Sequence, residues 1–358
     1  MSLIAEYVSP GHPDRICDQI VNNIVKAVVE KDKDALVGLE CAVHTNHVFL
    51  DGRIAAGKHA CVIDEKRIKE IIKSTYEEIG YSKKWYLSKE DLIINLNVCL
   101  EKLSKDERKI RNYSDDQSII CGYALNNPKT DFLPIEQYVV KQLGNGLWKW
   151  YKENNIDYLG PDFKLLIVID KNQEKYSLEK ITLSWLHDRS KQRSDMDTTL
   201  RREINELIAR LRYPVPLENK WRNLTFNAAG DFIQGGPEGD NGLSGKKLVI
   251  DYYGPNVSIG GGAIFGKDPH KVDVVGARRC RDLALLLVEK LNYPEVFTRM
   301  VFTPGVDRPR YIEAYGIDEF GTKYPISEIN FPPRDWFSIE CTCNDILKDK
   351  RIIYDDVL

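Results

Sequence analysis

The sequence predicts an α+β protein made of three similar sheet-plus-helix units, and three observations carry that reading. The 358-residue chain is too long for one small core. Runs with strand character are followed by amphipathic helical runs at three places along it. Eleven of its 24 glycines fall between Gly230 and Gly266, interleaved with charged residues.

A helix is predicted over residues 13–30. Pro13 suits a first helical position, Asp14 suits the positive end of the dipole, and Ile16, Ile20, Ile24 and Val28 form an i, i+4 stripe. Residues 35–61 read as strands around a tight turn at Asp51-Gly52, followed by a helix over 64–79. Residues 101–118 are polar and without apolar period, which predicts a mobile loop. FKLLIVID and SLEKITLSW read as strands, with a helix over 196–212. LTFNAAGDFI and KKLVIDYYG are assigned as the strands of the third unit, and 271–292 as its helix. The units do not match one another in sequence. The boundaries drawn are an N-terminal domain 1–100, a loop 101–118, a central domain 119–230 and a C-terminal domain 231–358.

Composition narrows the function. A net charge of −3 supplies no field for nucleic acid. The short basic clusters KDERKIR (105–111) and ARRCR (277–281) read as solvated faces. The N-terminus has neither a basic nor an apolar leader region, and no run of about 18 apolar residues occurs, so no membrane partner and a cytoplasmic location are expected. Most of the eight cysteines sit in apolar runs and read as buried reduced thiols. His44 and His47 read as a hairpin-turn pair and His59 as a strand residue, without zinc spacing.

Glycines let backbone N–H groups close on an anion, lysines neutralise it, and adjacent carboxylates can hold a hard cation that shares it. The segment from Gly230 offers all three, which suggests a polyphosphate–metal site. His12 and Asp14 sit at a helix entry in SPGHPDR and read equally as a site or as a capping turn. Phe232 could stack on a nucleobase or belong to a core. No P-loop, dinucleotide fingerprint or nucleophile elbow is present.

GHPD (11–14), DDQSIICGYA (115–124), GPDFK (160–164), GGPEGDNGLSGKK (235–247) and GGGAIFGKDPHKVD (260–273) together, in this order, closely resemble the S-adenosylmethionine synthetase family over residues 6–315. The resemblance fades over the last 40 residues. It implies three α+β domains related by pseudo-threefold symmetry. It also implies a homodimer, or a dimer of dimers, with active sites between subunits. The implied reaction is attack of methionine sulfur on C5′ of ATP, with the triphosphate leaving and then hydrolysed to phosphate and pyrophosphate. By the same resemblance His12 assists triphosphate departure. Asp14 and Asp273 hold Mg²⁺, and Glu40 is linked to K⁺. Lys164, Lys247, Lys267 and Lys271 line the polyphosphate, with Arg15 and Lys246 beside it. Asp162, Phe232 and Ala263 lie against the nucleoside. Asp240 receives the methionine ammonium, with Lys271 and Asp116 near the same substrate.

Several positions depart from the family pattern. Arg15 replaces Lys, Lys246 replaces Arg, Asp231 replaces Arg, and Phe265 replaces Ser. Arg53 stands where the family carries a Glu that contacts the methionine ammonium, and an Arg cannot accept that hydrogen bond. The gating-loop signature is absent from 101–118. Three readings follow: a methionine adenosyltransferase that seats methionine differently, an ATP-triphosphate-cleaving homologue with another second substrate, or a non-catalytic nucleotide-binding regulatory homologue.

Overall fold

The computed structural model describes residues 2–172, 175–211, 217–221 and 224–349. Its repeating unit is a strand, a helix and a hairpin. The first unit comprises β1 (Ser2–Val8), α1 (Pro13–Val29) and the hairpin β2 (Leu36–His44) with β3 (His47–Ala55), extended by α2 (Glu65–Ile79) and β4 (Ile93–Glu101). After the short α3 (Lys105–Lys109), the second unit comprises β5 (Ser118–Leu125), α4 (Ile135–Glu153) and the hairpin β6 (Leu159–Asn172) with β7 (Lys175–His187), extended by α5 (Arg193–Leu211), β8 (Leu217–Asn219) and β9 (Leu224–Phe226). The third comprises β10 (Gly242–Leu243), α6 (Leu248–Asp251), α7 (Val272–Leu291) and the hairpin β11 (Glu295–Phe302) with β12 (Tyr311–Ile317), then β13 (Lys323–Pro325) and α8 (Ile339–Lys348).

The lone strand of each unit does not join its own hairpin. β1 pairs antiparallel with β6, β5 with β11, and β10 with β2. Strands are thus passed cyclically from unit one to two, two to three and three to one. In the first two sheets the hairpin also takes a parallel strand on its far side, β4 on β3, and β8 and β9 on β7. The third sheet instead ends on antiparallel β13. Two apolar clusters back the sheets, one shared by the first and third units and one in the second.

Local chemistry explains the helices. α1 starts at His12, whose ring caps Asp14 N–H, and its Ile16, Ile20, Ile24 and Val28 stripe is fully buried. The Asp64 side chain caps α2, which ends on left-handed Gly80.

Several sequence expectations are corrected. The first hairpin turns at Thr45-Asn46, between paired His44 and His47, and Asp51-Gly52 lies inside β3. Gly52 answers a close strand contact there: its φ is +130°, and a Cβ would lie 2.1 Å from the Gly38 carbonyl oxygen. KKLVIDYY contains helix α6 rather than a strand, with Gln137 donating to the Ile250 carbonyl at 2.6 Å. LTF belongs to the second sheet, not the third. His59 is an exposed bend residue beyond β3. Cys99 faces outward because odd positions of β4 all point to the open side of its sheet, and Cys61 is half-buried. The cluster at 277–281 is not a solvated face and that at 105–111 is one only in part: Lys105 and Lys109 are exposed, whereas Arg111, Arg279 and Arg281 are buried and donate to internal acceptors, with Arg279 reaching Asp345 at 2.7 Å. Residues 101–118 are not irregular throughout, since α3 forms on a reciprocal Ser104–Glu107 capping box.

Candidate active site

Three motifs far apart in sequence, GHPD, GPDFK and GGPEGDNGLSGKK, meet at the N-terminus of α1. The β1–β6 register sets Val8 opposite Lys164, which carries GHPD onto GPDFK. Ser9 fastens the junction, donating to the Pro161 carbonyl and accepting Phe163 N–H, both at 2.8 Å. Asp162 accepts Gly236 N–H at 2.8 Å, which brings in GGPEGD. Asp14 accepts Leu243 N–H at 2.9 Å, which brings in GLSGKK.

These motifs border a cavity of about 400 Å³ lined by His12, Asp162, Lys164, Phe232 and Asp240 among others. Phe232 is held over it by His187, whose N–H donates to the Phe232 carbonyl at 2.9 Å and whose Nε2 accepts Phe232 N–H at 3.2 Å. Asp231 also lines the cavity, so the reversed charge there lies at its wall.

His12 is 1% exposed. Its Nδ1 accepts Asp14 N–H at 3.2 Å, so the neutral ring carries its proton on Nε2, which has no partner among the described residues. Burial, reinforced by Lys164 and opposed by Asp14, lowers its pKa to about 3. The ring is therefore a neutral hydrogen-bond donor at physiological pH. Asp162 is held oppositely: burial, only partly offset by the Gly236 N–H, raises its pKa to about 6, and its Oδ1 has no partner among the described residues. Burial would raise Asp14 too, but the Leu243 N–H and Lys247 outweigh it and its pKa is lowered. Lys247 lies 3.0 Å and Lys246 3.7 Å from this carboxylate.

Arg15 turns away from the cavity. Its guanidinium pairs with Asp18, at 3.1 Å, and with Asp251, and packs 5.9 Å from the Phe265 ring centroid. Two departures from the family pattern, at 15 and 265, are thus in mutual contact. Burial, opposed by Arg15 and aided by Asp251, raises the Asp18 pKa to about 7.

A second group surrounds the start of α7. Lys267 meets Asp273 at 2.5 Å, Ser118 donates to the same carboxylate at 2.6 Å, and Lys271 pairs with Asp115. Asp116, to which the sequence points, is exposed; its carboxylate accepts the neighbouring Gln117 N–H at 2.7 Å and its carbonyl the Ser114 hydroxyl. Glu40 is exposed and accepts the Ser244 hydroxyl at 3.0 Å. Ala263 lies beneath Gly245, close enough that a Cβ there would be 2.6 Å away.

Arg53 is engaged within the chain. Its Nη2 meets Glu101 and Glu107, each at 2.7 Å. Sequence reading missed Asp18, Asp115, Asp251 and these two glutamates. Two of these left a signal: Asp18, one helical turn beyond Asp14, and Asp115, beside Asp116 in DDQSIICGYA.

Among the described residues no three His, Cys, Asp or Glu side chains gather as a metal cage. Asp14 and Asp273 each present one carboxylate beside lysines, a donor set that fits Mg²⁺ only where phosphate oxygens and water complete its shell. No described helix is long and apolar enough to cross a membrane.

Comparison with known proteins agrees with this architecture. The family model "S-adenosylmethionine synthetase, N-terminal domain" matches residues 1–104, the central-domain model 111–232 and the C-terminal-domain model 234–342. The last match extends beyond residue 315, where the motifs fade to the eye. The chain is 31% identical to the S-adenosylmethionine synthase of Clostridium botulinum over 344 residues, covering 91% of this chain and 84% of that one. It is 30% identical to the enzyme of the same name from Clostridium tetani over 334 residues, covering 89% and 82%. The fold also matches a solved structure described as an unusual S-adenosylmethionine synthetase from Campylobacter jejuni, with a TM-score of 0.82, 21% identity, and coverage of 100% and 93%. The converging motifs, the three-domain α+β fold and these matches establish that the chain belongs to the S-adenosylmethionine synthetase family, a family of transferases.

Proposed function

We propose that this protein is a methionine adenosyltransferase, joining the adenosyl group of ATP to methionine sulfur and releasing phosphate and pyrophosphate. The observation that carries the reading is His12: a buried, neutral ring with its tautomer fixed and its Nε2–H directed to a cavity bordered by Phe232, Asp162 and Lys164. A neutral sulfur displacing a polyanion needs the departing charge stabilised more in the transition state than in the ground state. In this reading Nε2–H donates to the oxygen between C5′ and the triphosphate as the bond breaks. Lys164 and Lys247 neutralise the phosphates, Phe232 packs on adenine, and the free Asp162 Oδ1 accepts a ribose hydroxyl. Asp240 receives the methionine ammonium.

Lys267, Lys271 and Asp273 approach the triphosphate from a second copy of the chain, in a homodimer or a dimer of dimers. Asp14 and Asp273 would each hold Mg²⁺, which supplies further charge neutralisation to the triphosphate, and Glu40 would be linked to K⁺. Arg53 is neutralised by Glu101 and Glu107, so it need not repel an ammonium.

The test is incubation with ATP, Mg²⁺ and K⁺, with and without methionine, following S-adenosylmethionine, triphosphate and phosphate. Methionine-dependent S-adenosylmethionine is expected. Phosphate release without it would favour another second substrate, and ATP binding without turnover would favour a regulatory role.

A further inference from the structure

Three successive arginine contacts fasten the segment between β4 and β5. Arg53, on β3, reaches Glu101 through Nε and Nη2, at 3.0 and 2.7 Å, and Glu107 through Nη2 at 2.7 Å. Arg108 grips the loop after α1, meeting Asp32 at 2.8 Å and Asp34 at 2.7 Å. Arg111 is buried, donates to the carbonyls of Asp34 and Ala35 at 3.1 and 2.9 Å, and pairs with Asp268. Beyond it, Ser114 N–H meets the Val306 carbonyl at 2.7 Å.

The place of this strap matters. Arg53 faces Gly38 across the β2–β3 pair, and Gly38 faces Lys267 in an isolated bridge. Arg53 therefore stands two strand spacings, about 10 Å, from the phosphate-site lysine. The inner side of the strap lines a cleft of about 340 Å³ with Leu36, Ile110, Tyr113 and Gly305, and Asp115 at that cleft pairs with Lys271.

We propose that Arg53 is a positioning residue: it latches residues 101–114 against the first sheet and so sets the cleft beside Lys271, where the second substrate binds, without touching that substrate. The latch joins two of the departures from the family pattern, the Arg at 53 and the lost gating signature, in one device. One planar fork serves two carboxylates from different elements, which a lysine ammonium does less well. Each exposed pair is weak alone. Glu107, however, is simultaneously the capping-box residue of α3, so breaking its contact with Arg53 loosens a turn already built around it.

The clause naming the second substrate rests on the proposed transferase activity; the latch does not. Hydrogen exchange of residues 104–114 tests the latch directly. Arg53→Glu should accelerate it about tenfold, from lost pairs and new like-charge contacts, with α7 amides unchanged. Arg53→Lys should give an intermediate rate, and the charge swap Arg53→Glu with Glu101→Arg, which leaves the α3 capping box intact, should return it towards wild type. Unchanged exchange in Arg53→Glu, or no recovery in the swap, overturns the proposal. If Arg53→Glu does not fold, Glu107→Gln replaces it, with about threefold faster exchange expected and an unchanged rate overturning the latch. In protein that makes S-adenosylmethionine, Arg53→Ala, which removes the latch without adding an acceptor for the ammonium, should raise KM for methionine with kcat little altered. A fall in kcat at unchanged KM overturns the positioning role. If no S-adenosylmethionine forms at all, the proposed function fails while the exchange result still decides the latch.

Discussion

The Nδ1 atom of His12 accepts the amide proton of Asp14 at 3.2 Å, and this one hydrogen bond places the ring's proton on the cavity side. In the proposed mechanism, His12→Ala removes the donor to the leaving oxygen. Adenosyl transfer should fall by about 10²–10³-fold or more, the loss typical of one transition-state donor, with ATP binding still measurable. His12→Gln, whose amide N–H can approach the Nε2 position, should retain more activity than His12→Ala. Wild-type turnover in the alanine variant would remove His12 from the mechanism.

The same burial makes a pH signature. The folded pKa of His12, about 3, lies below its ordinary 6.5. Between these values the unfolded chain binds a proton that the folded chain does not, so stability falls as pH drops from about 6.5 towards 3. His12→Asn should flatten that part of the stability curve in denaturant titrations. In an NMR titration of wild type, the His12 ring should remain neutral down to pH 5.

Asp162 has the opposite sign. Its folded pKa of about 6 exceeds the ordinary 3.8, so the folded chain holds a proton that the unfolded one has lost. Wild-type stability contributed by this group is therefore lost as pH rises from about 4 to 6 and stays lost above. The gap corresponds to about 3 kcal/mol, of which Asp162→Asn should recover a substantial share at pH 7.5 and almost none at pH 4. The variant should bind ATP more weakly. Equal or lower stability at pH 7.5 would contradict the assignment.

Gly262 lies directly against the Asp273 carboxylate: a Cβ there would be 2.0 Å from Oδ1. Gly262→Ala must displace Asp273 from Lys267 and Ser118. The Mg²⁺ concentration for half-maximal activity should rise about tenfold or more, consistent with a cost of about 1–3 kcal/mol for forced repacking. Ser118→Ala, which removes one hydrogen bond and adds no clash, should have the smaller effect. Equal Mg²⁺ dependence in the glycine variant and wild type would show that Asp273 does not serve the metal.

What was legible in the sequence was local. The α1 entry, with Pro13, Asp14 and the isoleucine stripe, lies within one short stretch and reads directly, as do the helices α2, α5 and α7. The partners of Arg53 were not legible, because Glu101 and Glu107 reach it only through the parallel β3–β4 register, across a whole helix. The Asp51-Gly52 pair misled because a glycine demanded by the Gly38 carbonyl looks the same as one demanded by a turn. Arg15 could be matched by motif to the phosphate side, but its direction depends on Asp251, far away in sequence, and on Phe265. The third sheet was hidden in part because its edge strand β5 meets β11 from at least 170 residues away, the separation of Leu125 and the opposed Glu295.

The cyclic passing of β1, β5 and β10 makes the three units a closed ring of loans. A cut between units does not free one; it strips an edge from the next sheet and leaves that sheet's open backbone groups exposed. Isolated fragments spanning any one family domain should thus pair with one another sooner than stand alone. Mixing separately expressed fragments offers a route to reassembly, with the missing strand as the recognition element. The ring also requires chain ends that are far apart in time of synthesis to meet, since β10 must emerge before the β2–β3 sheet is complete. The first sheet to be synthesised is therefore among the last to be closed.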